Sequence, residues 1–169
     1  VHTSDEALQL LRFMLGEKEF APEVEPLVFR MADPVQLAGE TWEPADLHII
    51  EISSAKRLNF GDDILQSNHV ARHFADFFAS SERTRAYWNL VKLGHQRDLR
   101  DYLEKQPSFQ LLSKDDQERL VGLSLQQQSF KAIKADMAEM VERLGRDKVL
   151  FLTHVNAETE DGSVIPTRD

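Results

Sequence analysis

The run Leu47-His48-Ile49-Ile50-Glu51-Ile52-Ser53-Ser54 decides the fold class. Its Ile-rich centre suits a pleated backbone. Its apolar character is continuous rather than alternating, which points to a strand covered on both faces, as in a parallel sheet. A second run of the same kind, Lys148-Val149-Leu150-Phe151-Leu152-Thr153-His154, follows Gly145. Residues 62 to 145 between them read as helical. A crossover of that size joins parallel strands in the right-handed sense. The expected fold is therefore α/β, with a mostly parallel sheet and a large helical insertion at about 62–145. Residues 1–169 form a single α/β domain or a fragment of one. A further strand is expected at Leu27-Val28-Phe29-Arg30-Met31, between Pro26 and Asp33-Pro34.

The flanking helices carry their own punctuation. Thr3 and Glu6 have capping-box spacing ahead of Leu8, Leu11, Met14 and Leu15, with Gly16 as the stop. Ser81 is placed to cap a helix carrying Tyr87, Trp88, Val91 and Leu93, and Ser113 with Asp116 opens another. Phe130, Ile133, Met137, Val141 and Leu144 step by three and four, predicting a long amphipathic helix from about Leu125 to Leu144, ended by Gly145. Gln126-Gln127-Gln128 reads as its solvent side, and Tyr87-Trp88 as core packing.

Composition narrows the function classes. The chain has 20 Lys+Arg against 29 Asp+Glu, a net charge of −9, so a general grip on nucleic-acid phosphates is not expected. There is no cysteine, which excludes disulfides, thiolate catalysis and Cys-ligated metal within this sequence. No run reaches the length of a membrane span and no signal peptide opens the chain, so the expectation is a cytoplasmic location, although zero cysteine fits the periplasm equally well. The missing initiator Met and the ending Pro166-Thr167-Arg168-Asp169 suggest a piece of a longer protein.

Ligands of open parallel sheets bind beyond the carboxyl ends of the strands. Three such ends supply candidates: Arg30 and Asp33; Glu51, Ser53, Ser54 and Lys56; and Thr153, His154 and Asn156. His154 can change charge near neutral pH, and Asn156 can donate to a developing oxyanion. Ser53 and Lys56 have a Ser-x-x-Lys spacing, which on a helix would let the lysine accept the serine proton. Glu51, in an apolar strand, is expected to pair with Lys56, Arg57 or Arg30, because an unpaired buried carboxylate is costly. His69 and His73 could share a helix face, yet Val70 stands where a zinc-protease helix carries Glu, so no metal and no cofactor are expected. Walker A, Gly-x-Ser-x-Gly and Gly-rich phosphate loops are absent from the sequence.

The segment Pro44 to Lys56, with its Asp, apolar strand and Glu-Ile-Ser-Ser-x-Lys, and the segment Lys-Val-Leu-Phe-Leu-Thr-His-Val-Asn at 148–156 resemble the middle of an SGNH, or GDSL-like, α/β domain. The similarity is to the divergent bacterial branches linked to surface-polysaccharide acylation. It implies a three-layer α/β/α arrangement and an ester hydrolase or acyltransferase acting on an acylated, carbohydrate substrate. It also implies a Gly-Asp-Ser-like nucleophile block before Val1 and an Asp-x-x-His block after Asp169. In that reading His154, Asn156 and Ser53 are the catalytic candidates, and Ser54, Lys56 and Arg30 bind substrate. Two rivals stand beside it. One is a non-catalytic α/β domain holding a small polar ligand. The other is a module that meets a protein partner through its helical insertion, which an exposed apolar stripe over residues 62–78 would favour.

Overall fold

A computed structural model describes residues 3–29 and 45–153. The chain opens with α1 (Ser4–Met14) and α2 (Glu25–Val28), followed by β1 (His48–Ile52), β2 (Lys56–Phe60) and β3 (Asp63–Leu65). Helices α3 (Ser67–His73), α4 (Ala75–Phe78), α5 (Ser81–Leu93), α6 (Gln96–Leu103), α7 (Pro107–Gln110) and α8 (Lys114–Gly122) come next. Strand β4 (Ser124–Gln127), helix α9 (Phe130–Leu144), a short 3-10 turn and β5 (Val149–Thr153) complete the order. The class is α/β. Among the described residues no helix is long and apolar enough to cross a membrane.

The two runs that decided the class pair as read. Strand β1 lies parallel to β5, with Ile49 beside Leu150 and Ile52 beside Thr153. One face of this pair is packed. Ile50, Ile52, Val149 and Phe151 meet a cluster of Ala7, Leu8 and Leu11 from α1 and Met140 and Leu144 from α9. The other face differs from the expectation of a sheet covered on both sides, because Ile49, Leu150 and Leu152 are exposed there. Glu51 shares that exposed face. Its carboxylate stays hydrated, so the burial that was to force a salt bridge does not arise.

The second sheet was not anticipated. It is antiparallel, in the order β3-β2-β4. Gly61, at φ 57°, makes the tight turn between β2 and β3, a conformation that glycine adopts without steric cost. Strand β4 takes residues assigned above to the start of a long helix. Ser129 caps α9 by accepting from the Ala132 N–H at 3.1 Å, so the helix begins five residues later than its apolar spacing suggested. Gln128, read as solvent-facing, is buried and donates to Asp136 at 2.9 Å. The expected strand at 27–31 is another correction. Residues 25–28 are a helical turn with Pro26 in its first positions, where a missing N–H does no harm, and Arg30 onward falls outside the described residues.

A larger core lies over the second sheet. Val70, Phe74, Phe77, Tyr87, Leu99, Leu103 and Leu120 are buried in it together with Leu27 and Leu58. The apolar side chains of α3 and α4 thus turn inward. Phe78, half-buried, stacks on Trp88 at 5.6 Å between ring centroids, and Tyr87 and Trp88 are core residues as read. Helix α1 joins the two cores, since Leu8 and Leu11 face the parallel pair while Phe13 packs on Phe20 and Phe29.

Candidate functional site

The register Ile52 beside Thr153 sets the carboxyl ends of β1 and β5 on one edge of the parallel pair. Ser53, Ser54 and Ala55 leave that edge and lead directly into β2. His154, Asn156 and Arg30 lie outside the described residues. Of the proposed group, the fold brings Ser54 and Lys56 together. They line a cleft of about 350 Å³, in which Ser53 does not take part.

This cleft sits between the start of α1, the β1–β2 link and the start of α3. Leu58, Leu65 and Leu125 give it an apolar lining. Thr3, Glu6, Ser54, Lys56, Arg57, Gln66, Ser67 and Asn68 supply its polar groups. Ser54 is held by a local turn: its Oγ accepts from the Lys56 N–H at 2.9 Å. That turn leads into a strand, so Ser53 and Lys56 do not share a helix face, and the helical proton-transfer geometry considered for them is not formed. Lys56 is exposed, and its ammonium has no ion-pair partner among the described residues.

Arg57 is fixed more firmly. Its Nη1 donates to Asp5 at 3.1 Å and its Nη2 to Gln126 at 2.7 Å. Its Nε is buried with no hydrogen-bond partner among the described residues. Gln66 is largely buried, and its Oε1 accepts from the Asn68 N–H at 3.4 Å, capping α3. Sequence reasoning missed Gln66, Ser67 and Asn68 because their segment looked like the middle of a helix. The signal that was there is the start of α3, where Gln-Ser-Asn suits a cap.

The two histidines of α3 are occupied separately. His69 donates from Nδ1 to the Val28 carbonyl at 3.0 Å, and burial holds its pKa below the ordinary imidazole value. His73 sits edge-on to Phe74, with Nε2 3.8 Å from Asp116 Oδ1. Among the described residues no group of three His, Asp or Glu could hold a metal ion.

Over its whole length, residues 1–169, the sequence matches the family model described as the TviD N-terminal domain. The chain belongs to that family. It is also 41% identical over 168 residues to the Vi polysaccharide biosynthesis protein TviD of Salmonella typhi. The match takes in 99% of this chain and 20% of that relative, so the chain spans about one fifth of the length of the curated relative it matches. No solved structure matches. The name of the Salmonella relative places that protein in polysaccharide biosynthesis, the substrate class that the SGNH resemblance implied. Neither comparison names an ester hydrolase or an acyltransferase.

Proposed function

We propose that this TviD N-terminal domain serves the biosynthesis of a surface polysaccharide by holding a carbohydrate in the Ser54–Lys56 cleft. The observation that carries the reading is the lining of that cleft. Hydroxyls and amides of Ser54, Gln66, Ser67 and Asn68 stand beside the apolar Leu58, Leu65 and Leu125, with the Lys56 ammonium at the exposed side. A sugar offers the matching surface, with hydroxyls around its rim and C–H groups on its faces, and an acidic substituent would seat at Lys56. The domain organisation that goes with this reading is one α/β unit over residues 1–169, with 62–145 inserted between β1 and β5.

An acyl-ester chemistry of the SGNH type is the second reading. Its support is the register of β1 with β5, which starts the segments bearing Ser53 and His154 from one sheet edge. Ser53, His154 and Asn156 would then act on the ester, with Ser54, Lys56 and Arg30 holding the sugar.

Calorimetric titration of the full-length protein with alginate oligosaccharides and with neutral maltooligosaccharides tests the first reading. Lys56→Ala should weaken the acidic ligand at least about tenfold, or roughly 1.4 kcal/mol, with the thermal midpoint unchanged. Undiminished binding by Lys56→Ala would remove the cleft from the account. For the second reading, Ser53→Ala should abolish acyl release or transfer while sugar binding persists, and unchanged turnover would end it.

A further inference from the structure

The surface beside the Ser54–Lys56 cleft continues onto the start of α9. In the antiparallel register Lys56 stands opposite Gln127 and Leu58 opposite Leu125, so Gln127 shares the face of β2 and β4 that lines the cleft. Opposed Cβ atoms of such pairs lie about 5 Å apart, and both Lys56 and Gln127 are exposed. Past Gln127 the chain turns into the helix. The Gln128 N–H donates to the Ala55 carbonyl at 2.7 Å, which ties this turn to the link carrying Ser54 and Lys56. Phe130 follows, with its Cα no more than about 7 Å of extended chain from that of Gln128.

Phe130 is 76% exposed. A lone exposed apolar side chain is ordinary on a protein surface, so its exposure alone decides nothing. Its mounting and its neighbours do. The Gln128 side chain is buried and donates to Asp136, which also accepts from the Ser4 hydroxyl at 2.6 Å, and Ser129 caps the helix. The ring therefore stands on an anchored helix start rather than on a loose loop. Lys134, one turn on, sets its Nζ 5.8 Å from the ring centroid. An aromatic face carries partial negative charge, which suits the slightly positive C–H face of a sugar, and a ring fixed before binding loses little freedom on contact. We infer that Phe130 is a stacking platform for a further unit of the sugar chain held in the Ser54–Lys56 cleft. This rests on the carbohydrate reading of that cleft and deepens it: the ligand is an oligosaccharide long enough to run from Lys56 past Gln127 to Phe130.

The test titrates the full-length protein with an alginate disaccharide and an alginate hexasaccharide. The wild type should bind the hexasaccharide more tightly. Phe130→Ala should remove that gain, about three- to tenfold, and leave disaccharide affinity and the thermal midpoint unchanged. Phe130→Trp should restore the gain and Phe130→Leu should not, because a leucine offers apolar surface without a ring face. A wild type that gains nothing from the longer chain overturns the inference. So does a gain that survives Phe130→Ala or returns in full with Phe130→Leu. In each of those cases disaccharide binding that still falls in Lys56→Ala leaves the cleft reading standing. A wild type that binds neither oligosaccharide ends both.

Discussion

Tyr87 carries one of the few polar atoms in the larger core. Its hydroxyl donates to the Leu120 carbonyl at 2.8 Å. Leu120 lies in the last turn of α8, where a carbonyl has no N–H ahead of it in the helix. The tyrosine therefore closes a helix end from inside the protein, and its burial pushes the phenol pKa far above the ordinary value, so the group stays a donor at any physiological pH. Tyr87→Phe leaves the carbonyl dry and unpaired. A loss of about 1–3 kcal/mol in a denaturant melt is expected, with the overall fold retained by circular dichroism. A change within experimental error would mean that water replaces the phenol.

At the scale of elements, two contacts decide how the layers meet. Gly122, the last residue of α8, lies under the ring of Phe60. A Cβ added there would fall 2.8 Å from Cε2 and 3.2 Å from Cδ2 of that ring. Gly122→Ala should therefore destabilise the chain by about 1–3 kcal/mol, and most of that cost should vanish in a Phe60→Ala background. Equal costs in both backgrounds would locate the effect elsewhere. The second contact is the clamp between α1 and α9. Arg12 donates to both oxygens of Glu139 at 2.8 Å, and Arg143 joins Glu139 to Glu17. Arg12 first, and then Arg143, hold the Glu139 carboxyl below its ordinary pKa. A depressed carboxylate contributes stability above its unfolded pKa, near 4.3, and loses it as pH falls through the folded value. Thermal melts across the acid limb should thus decline less steeply for Glu139→Gln than for the wild type. Parallel curves would show that solvent screens the clamp completely.

The same elements show what could be read in advance. Ile49-Ile50 and Leu150-Phe151-Leu152 announced the parallel pair because long runs of apolar β-formers have few alternatives. The N-caps at Thr3 and Ser113 were legible from spacing alone, while Ser80, not Ser81, caps α5. Lys56–Phe60 escaped notice because only Leu58 and Phe60 are apolar, and β4 because Ser-Leu-Gln-Gln has almost no hydrophobic signal. Those strands exist through mutual hydrogen bonding, which a single segment does not reveal. The cleft was half legible for the same reason. Ser54 and Lys56 follow a strong strand, whereas Gln66, Ser67 and Asn68 reach it through the unseen β2–β3 hairpin.

Among the described residues two cores share one spine, with α1 contributing side chains to both. The pairing of β1 with β5 has a kinetic consequence. Register partners such as Ile50 and Phe151 stand roughly one hundred residues apart, and closing so long a loop yields contacts only late in folding. The larger core draws on nearer neighbours, since α4 packs on α5, α5 on α6 and α6 on α8. The helical region should organise first, and the parallel pair should zip afterwards on the platform of α1 and α9. In stopped-flow chevrons Leu103→Ala should slow folding, while Ile50→Ala should leave the folding arm in place and accelerate unfolding. If Ile50→Ala instead slows folding as strongly as Leu103→Ala, the two ends of the chain find each other before the middle has formed.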